Sequence, residues 1–255
     1  DNVRRKQLPE KIDVVIHCAA FTQVDQCERE QERAFEVNVT GTRHVVDAFS
    51  KSASHIIYLS TDYVFDGEKE SPYQESDVPN PLMIYGKSKL EGERIVRTYE
   101  RGTVVRTSWL FGGGMGFHNF VNTIIKRVLH DQSPLRVVDD QRGRPTSTSV
   151  VASAIKSIIE KVQINAAVDT DLFHVCNQGT ANWYEFACEI CRLLNVSIDV
   201  SPVSSADFKC AAKRPHNSVL ALGKIESLIG KSMPQWTDDL ATYIAHVQEA
   251  KSPAK

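Results

Sequence analysis

Residues 12–20, Ile-Asp-Val-Val-Ile-His-Cys-Ala-Ala, form a nearly continuous apolar run that ends in small side chains. A strand with one wet face would alternate apolar and polar residues, so this run fits a strand buried on both faces, as in parallel sheets covered by helices. Parallel neighbours need crossover connections, usually helical, and one such strand therefore points the chain toward an α/β architecture. The rest of the sequence keeps that rhythm. A helix is predicted from about 28 to 50, and a second apolar run, His55–Leu59, stops on Ser60-Thr61-Asp62. Polar side chains at a strand's carboxyl end stand where open α/β sheets collect ligands.

Pro79 and Pro81 precede a predicted helix over about 83–99, and Thr103–Leu110 reads as another strand. Phe117, Phe120, Val121, Ile124, Ile125, Val128 and Leu129 recur at three and four residues. So do Val150, Val151, Ala154, Ile155, Ile158 and Ile159, and both sets predict amphipathic helices. A strand at Leu172–Cys176 and a helix carrying Trp183, Phe186, Ile190 and Leu194 lead into a more helical tail. The expected fold is a doubly wound parallel sheet of Rossmann type with a smaller C-terminal α+β lobe at its carboxyl edge. Residues 1–112 with about 140–178 are assigned to the dinucleotide-binding domain, and about 113–139 with 179–255 to the substrate lobe.

The 255 residues, 42% hydrophobic and 24% charged, suffice for one large core and a small second lobe. A net charge of -2 without any long Lys/Arg block gives no footprint for nucleic acid or an anionic membrane surface. The short Arg4-Arg5-Lys6 cluster reads as a solvated helix face. No window approaches the ~18 apolar residues of a membrane span, and the polar start is unlike a signal peptide, so a cytoplasmic location is expected. Cys18, Cys27, Cys176, Cys188, Cys191 and Cys210 are too scattered for a disulfide framework. Cys188-Glu-Ile-Cys191 falls within a helical pattern with no second pair, so packing thiols are expected there and no metal site.

Tyr85-Gly-Lys-Ser-Lys89 places a phenol and an ammonium four residues apart, on one face near a helix start. An adjacent cation favours the phenolate and would bring tyrosine nearer to the range of a working acid–base group. Alone, the pair also fits an ordinary surface helix. Thr61, at a strand end 24 residues earlier, adds a hydroxyl able to hold a carbonyl against the phenol. The glycine run 112–116 lacks the Gly-x-Gly-x-x-Gly spacing and reads as a flexible loop near the substrate.

A strand-end hydroxyl followed by Tyr-x-x-x-Lys on the next long helix resembles the catalytic triad of the short-chain dehydrogenases. More specific text surrounds it: His17–Asp25, Ser60–Gly67 (STDYVFDG), Pro81–Glu93, Arg106-Thr-Ser-Trp109, Asp139–Thr146 and Arg214–Ser218. In that order, across essentially the whole chain, they resemble the dTDP-4-dehydrorhamnose reductase family. The resemblance implies reduction of the 4-keto group of a dTDP-sugar to give dTDP-rhamnose, with NADPH or NADH as cofactor, and homodimers are common in the superfamily. It implies that Tyr85 donates the proton, Lys89 binds the nicotinamide ribose and tunes Tyr85, and Thr61 orients the keto group. Ala20, Phe21 and Thr22 would line the cofactor, while Asp62, Trp109 and Arg214 would contact the sugar nucleotide, Arg214 at its diphosphate. Trp109 equally fits a core position, Arg214 a surface turn, and Asn38 a structural role.

The family's opening strand, its Gly-x-x-Gly-x-x-Gly turn and the residue that selects NAD over NADP do not occur in this sequence. The expectation is that the chain starts just before the family's fourth strand, with half of the dinucleotide site outside it and its own activity in question. Two other functions share much of the text: a nucleotide-sugar epimerase or dehydratase, and a non-catalytic subunit resembling the methionine adenosyltransferase regulatory subunit. Arg106-Thr-Ser-Trp109 and Asp139-Asp-Gln141 favour the reductase.

Overall fold

In the computed structural model, which describes residues 11–52, 54–164 and 171–249, the first apolar run becomes β1 (Val14–His17). The Arg4-Arg5-Lys6 cluster lies outside the described residues. After β1 come α1 (Val24–Arg29), α2 (Gln31–Phe35), a π-helical stretch at Glu36–Thr40 and α3 (Gly41–Phe49). Next are β2 (His55–Thr61), α4 (Ile84–Arg97), β3 (Gly102–Thr107), β4 (Leu110–Phe111), α5 (Phe120–Lys126) and β5 (Leu135–Val138). They lead to β6 (Arg142–Gly143), β7 (Thr146–Ser147), α6 (Thr148–Ile164) and β8 (Asp171–His174). The last third holds β9 (Ala181–Asn182), α7 (Trp183–Leu194), β10 (Val200–Val203), α8 (Gly223–Ile229) and α9 (Trp236–Glu249).

The main sheet runs β1-β2-β3-β8, parallel throughout. Successive side chains on a strand point to opposite faces, and on β2 and β3 both faces are dry, whereas β1, expected to be buried on both faces, stands at the edge of the described sheet with Ile16 46% exposed. Ile56, Tyr58, Val104 and Leu172 pack with Val46 of α3 and with Ile95 and Val96 of α4. Ile57, Val105 and Phe173 pack on the other side with Val151, Ile155 and Ile158 of α6. Helices thus cover both faces, as a doubly wound sheet requires. Burying a side chain such as Ile56 or Ile57 contributes about 1.5–3 kcal/mol relative to leaving it in water.

A second core joins Phe111, Val121, Ile125 and Leu135 to Phe186, Ile190, Trp236 and Leu240, drawn from β4, α5, α7, α9 and β5, which pairs in parallel with β10. Leu220, Leu222, Ile225 and Met233, from a segment expected in the C-terminal lobe, pack instead into the sheet's core.

The elements differ from the sequence expectation where the chain bends toward the sheet's carboxyl edge. The first strand stops at His17, whose Nε2 lies 3.0 Å from the Thr42 hydroxyl, and Cys18–Thr22 leave the sheet. The helix expected over 28–50 is divided at Glu30, where φ is -120° and ψ 55°, and it widens to a π-turn at Glu36–Thr40. That wider turn contains Asn38, and π-turns recur where a helix must re-aim one residue. The strand expected over 103–110 breaks at Trp109, whose φ is +46°. The amphipathic pattern from 117 becomes helix only at Phe120, because Asn119 caps it by accepting the Asn122 N–H at 2.9 Å. Phe117 is left 64% exposed.

Candidate active site

Three strand ends and the first turns of α4 meet in a cleft of about 430 Å³. Ala20 and Thr22 follow β1, Thr61 and Asp62 stand at the end of β2, Trp109 follows β3, and Tyr85 and Lys89 come from α4. Seven residues expected at the site therefore share one wall-to-wall space. Phe21 is not on its lining: its N–H donates to Asn38 Oδ1 at 2.7 Å, its carbonyl accepts from Asn38 Nδ2 at 3.2 Å, and its ring packs beneath Arg33. Asn38 Nδ2 also donates to Ser88 Oγ at 2.9 Å, so one amide ties the Ala20–Thr22 loop to the helix bearing Tyr85 and Lys89. The structural role expected for Asn38 is of this kind.

No side chain of Met83 caps α4; the Ile84 N–H instead donates to Glu28 Oε1 at 2.8 Å, fixing where the helix begins. Four residues on from Tyr85, Lys89 is only 2% exposed. Its Nζ rests 3.9 Å from the centroid of the Tyr58 ring, and among the described residues it has no hydrogen-bond partner. Burial lowers the ammonium to about 7, against the opposing pull of Glu93 and Cys18. Tyr58 fits under the helix because position 92 is glycine: a Cβ there would lie 2.2 Å from the Tyr58 hydroxyl.

The Tyr85 phenol is pushed up, first by burial and then by the charge of Asp62, while the Thr61 hydroxyl draws it part of the way back. This corrects the expectation that the lysine would dominate, since Lys89 lies over Tyr58 and is itself depleted of charge by burial. Thr61 Oγ1 donates to Asp62 Oδ1 at 3.1 Å and accepts the Tyr63 N–H at 3.2 Å. Burial raises the Asp62 carboxyl to about 7, with Ser218 and Thr61 opposing the rise. Its Oδ2 is buried without a well-formed hydrogen bond, because the Ser218 hydroxyl also reaches the Arg142 carbonyl, at 3.3 Å.

Trp109 lies flat on Trp183 of α7, the ring centroids 3.5 Å apart and the planes at 8°. Gly143 lies under its ring, and a Cβ there would come within 2.5 Å of the indole. A larger cavity of about 740 Å³ adjoins the cleft, sharing Phe120 and Trp183 with it, and gathers Arg127, Arg136, Lys213, Arg214 and His216. Arg214 does not stand free in it: its Nη2 donates to Asp25 Oδ2 at 2.6 Å and its Nη1 to the Ala212 carbonyl at 3.2 Å. The glycine run 112–116 leads to His118 and Asn119 on the edge of the smaller cleft.

Sequence reasoning missed Tyr58, Glu93, Asp25 and Trp183. Glu93 alone left a signal, continuing the four-residue spacing of Tyr85 and Lys89. Among the described residues, no group of three or more His, Cys, Asp or Glu side chains is placed to hold a metal, and no helix is long and apolar enough to cross a membrane.

A doubly wound sheet with a strand-end hydroxyl, a tyrosine and a lysine around one cleft defines an extended short-chain dehydrogenase/reductase. The family described as "RmlD substrate binding domain" matches residues 1–249. The dTDP-4-dehydrorhamnose reductase of Aggregatibacter actinomycetemcomitans is 39% identical over 246 residues, which cover 93% of this chain and 82% of that protein. The crystal structure of a dTDP-4-dehydrorhamnose reductase from Clostridium acetobutylicum superimposes with a TM-score of 0.84 at 38% identity, covering 92% of this chain and 81% of that one. The Bacillus anthracis reductase, solved in complex with NADP, also gives 0.84, at 36% identity and with 91% and 80% of the two chains covered. The chain belongs to the dTDP-4-dehydrorhamnose reductase family.

Proposed function

We propose that this protein reduces the 4-keto group of dTDP-4-dehydrorhamnose to give dTDP-rhamnose, with NAD(P)H as its cofactor and in the cytoplasm. The observation that carries the reading is the convergence of Thr61, Tyr85 and Lys89 on one cleft at the carboxyl ends of the strands. Family membership supports it, and so does the NADP held by the Bacillus anthracis relative.

The residues present fit a nicotinamide nucleotide. Lys89 offers a deeply buried ammonium, without a hydrogen-bond acceptor among the described residues, to the space beyond β1, where ribose hydroxyls would accept from it. Ala20 and Thr22 would hold the same group from the loop that Asn38 pins in place. When bound, the cofactor supplies a hydride to the carbonyl carbon. Tyr85, kept protonated by its buried position, donates its phenolic proton to the carbonyl oxygen, so the ketone becomes a secondary alcohol and Tyr85 a phenolate that solvent reprotonates. Lys89 in its charged form gives that phenolate a smaller stabilisation than burial takes away, while the Thr61 hydroxyl, which draws the phenol back toward its ordinary value, orients the carbonyl toward Tyr85. Asp62 and Trp109 face the sugar, while the basic cavity beside them receives the nucleotide diphosphate, with Arg214 reaching it from its bridge to Asp25.

Mixed with NADPH or NADH and dTDP-4-dehydrorhamnose, the protein is expected to consume reduced nicotinamide and form dTDP-rhamnose. Tyr85→Phe should lower kcat about 100-fold or more while leaving nicotinamide affinity nearly unchanged. Binding without turnover would identify a non-catalytic subunit, and isomerised sugar without net nicotinamide oxidation would identify an epimerase.

A further inference from the structure

We propose that Glu93 is a positioning residue for Lys89: from one turn farther along α4 its carboxylate sustains the charge of the buried ammonium, while Ser60 and Arg106 hold that carboxylate in place. The inference rests on the reading of Tyr85 and Lys89 given above and extends it below the floor of the cleft.

Tyr85, Lys89 and Glu93 stand at four-residue intervals, so they form one row on α4. Glu93 is 1% exposed and Arg106 2% exposed. Arg106 meets the carboxylate in bidentate fashion, Nε to Oε1 at 2.9 Å and Nη2 to Oε2 at 2.7 Å, and the Ser60 hydroxyl donates to Oε1 as well. Ser60 precedes Thr61 and is registered opposite Arg106 across β2 and β3. One carboxylate thus connects the strand end that carries Thr61 with the helix that carries Tyr85 and Lys89.

A buried ion pair is weak support for stability, since apolar side chains of similar volume commonly serve as well or better. Its place beside Lys89 supplies a reason of another kind. The groups that act on Lys89 or lie against it are His17 at the end of β1 and Cys18 just after it, Tyr58 on β2 and Glu93 on its own helix, one turn from Lys89 as Tyr85 is on the other side; Asn38 and Thr42, from the segment packed against α4, are uncharged. Burial and the neighbouring lysine hold His17 down at about 4, and burial pushes the Cys18 thiol up, so at neutral pH neither carries a charge. Among these groups Glu93 is the carboxylate, and its pull opposes the burial that brings Lys89 to about 7. Behind Arg106, His174 Nε2 lies 3.5 Å from Nη1, and burial keeps that imidazole neutral. Of the pair, Glu93 is the member whose charge is felt at Lys89.

The test follows the Cε resonance of Lys89 against pH in protein labelled with ¹³C-lysine, assigned by its loss in Lys89→Arg, with no cofactor or substrate added. The midpoint should lie near 7 in the parent protein and move by about 1–3 pH units toward acid in Glu93→Gln, with Glu93→Asp restoring most of it. Because Glu93→Gln strands the Arg106 charge, Glu93→Gln/Arg106→Met is measured beside it and should show the same acidward movement. The alkaline limb of kcat/KM and the alkaline fall in NADPH affinity should follow the Lys89 midpoint. An unmoved midpoint in either folded variant overturns the proposal, and so does a double variant unable to fold, which would make the pair a structural necessity. A midpoint that moves in a protein without reductase activity supports the role of Glu93 and overturns the reading of the site instead.

Discussion

Burial carries the Asp62 carboxyl to about 7, so near neutrality the side chain divides between an acid that donates a hydrogen bond and a carboxylate that accepts one. The raised value means that the folded protein holds a proton the unfolded chain has released. Stability therefore declines as pH rises from the ordinary 3.8 toward about 7, and the loss is complete above that window. Asp62→Asn does not titrate and is expected to melt at higher temperature than the parent at neutral and alkaline pH. The gain should be a few kcal/mol at most, at about 1.4 kcal/mol per pH unit of displacement. At pH below 4 the two proteins should melt alike, and a uniform difference in Tm across pH would show that Asp62 is not the titrating group. The meeting of Thr61, Tyr85 and Lys89 in one cleft was legible in the sequence because residue type, spacing and strand-end position point there. Tyr58 was not, because its part comes from lying across the sheet beneath a glycine, and Asp25 was not, because its partner is Arg214, far away along the chain. Strand-end placement alone also brings in Phe21, whose loop turns the ring outward against Arg33.

Elements were most readable where periodicity was long and least where the chain turns into the site. The helix bearing Trp183, Phe186, Ile190 and Leu194 forms over Trp183–Leu194, and its start is written in a capping box, Asn182 accepting from the Glu185 N–H at 2.7 Å while Glu185 accepts from the Asn182 N–H at 2.8 Å. Asn182→Ala should lower stability by about 1 kcal/mol, seen as a lower denaturant midpoint with unchanged slope. No change would mean that packing against α5 and α9 fixes the helix start without the cap. By contrast, the break at Trp109 and the π-turn around Asn38 depend on contacts between segments far apart in sequence, which no local pattern encodes.

Among the described residues, the sheet's core and the lobe's core both reach the cleft, through Leu59 and through Trp109, and the Asp25–Arg214 pair bridges α1 to the loop before α8. We propose the division into residues 1–112 with about 140–178 and about 113–139 with 179–255, amended by the return of Leu220–Met233 to the sheet's core. Among the described residues three buried histidines, His17, His55 and His174, make overall stability sensitive to acid, burial lowering His55 as it does the other two. Burial lowers His17 from the ordinary 6.5 to about 4 and His174 to about 3. Below pH 6.5 the unfolded chain binds protons that the folded protein refuses, so stability is fully present above that pH and is lost as pH falls toward 4. Urea midpoints should therefore decline between pH 7 and 5, and the decline should be smaller in His174→Asn; equal slopes would acquit His174. The stacked indoles bear on the same cleft, for Trp109 comes from the end of β3 and Trp183 from α7, and they are two of three tryptophans in the chain. Transition dipoles lying in near-parallel ring planes at van der Waals contact couple excitonically, and a small slip, rotation or parting of the rings changes both the circular-dichroism signal and the emission. The protein thus carries its own optical gauge of whether that wall of the cleft is closed or parted.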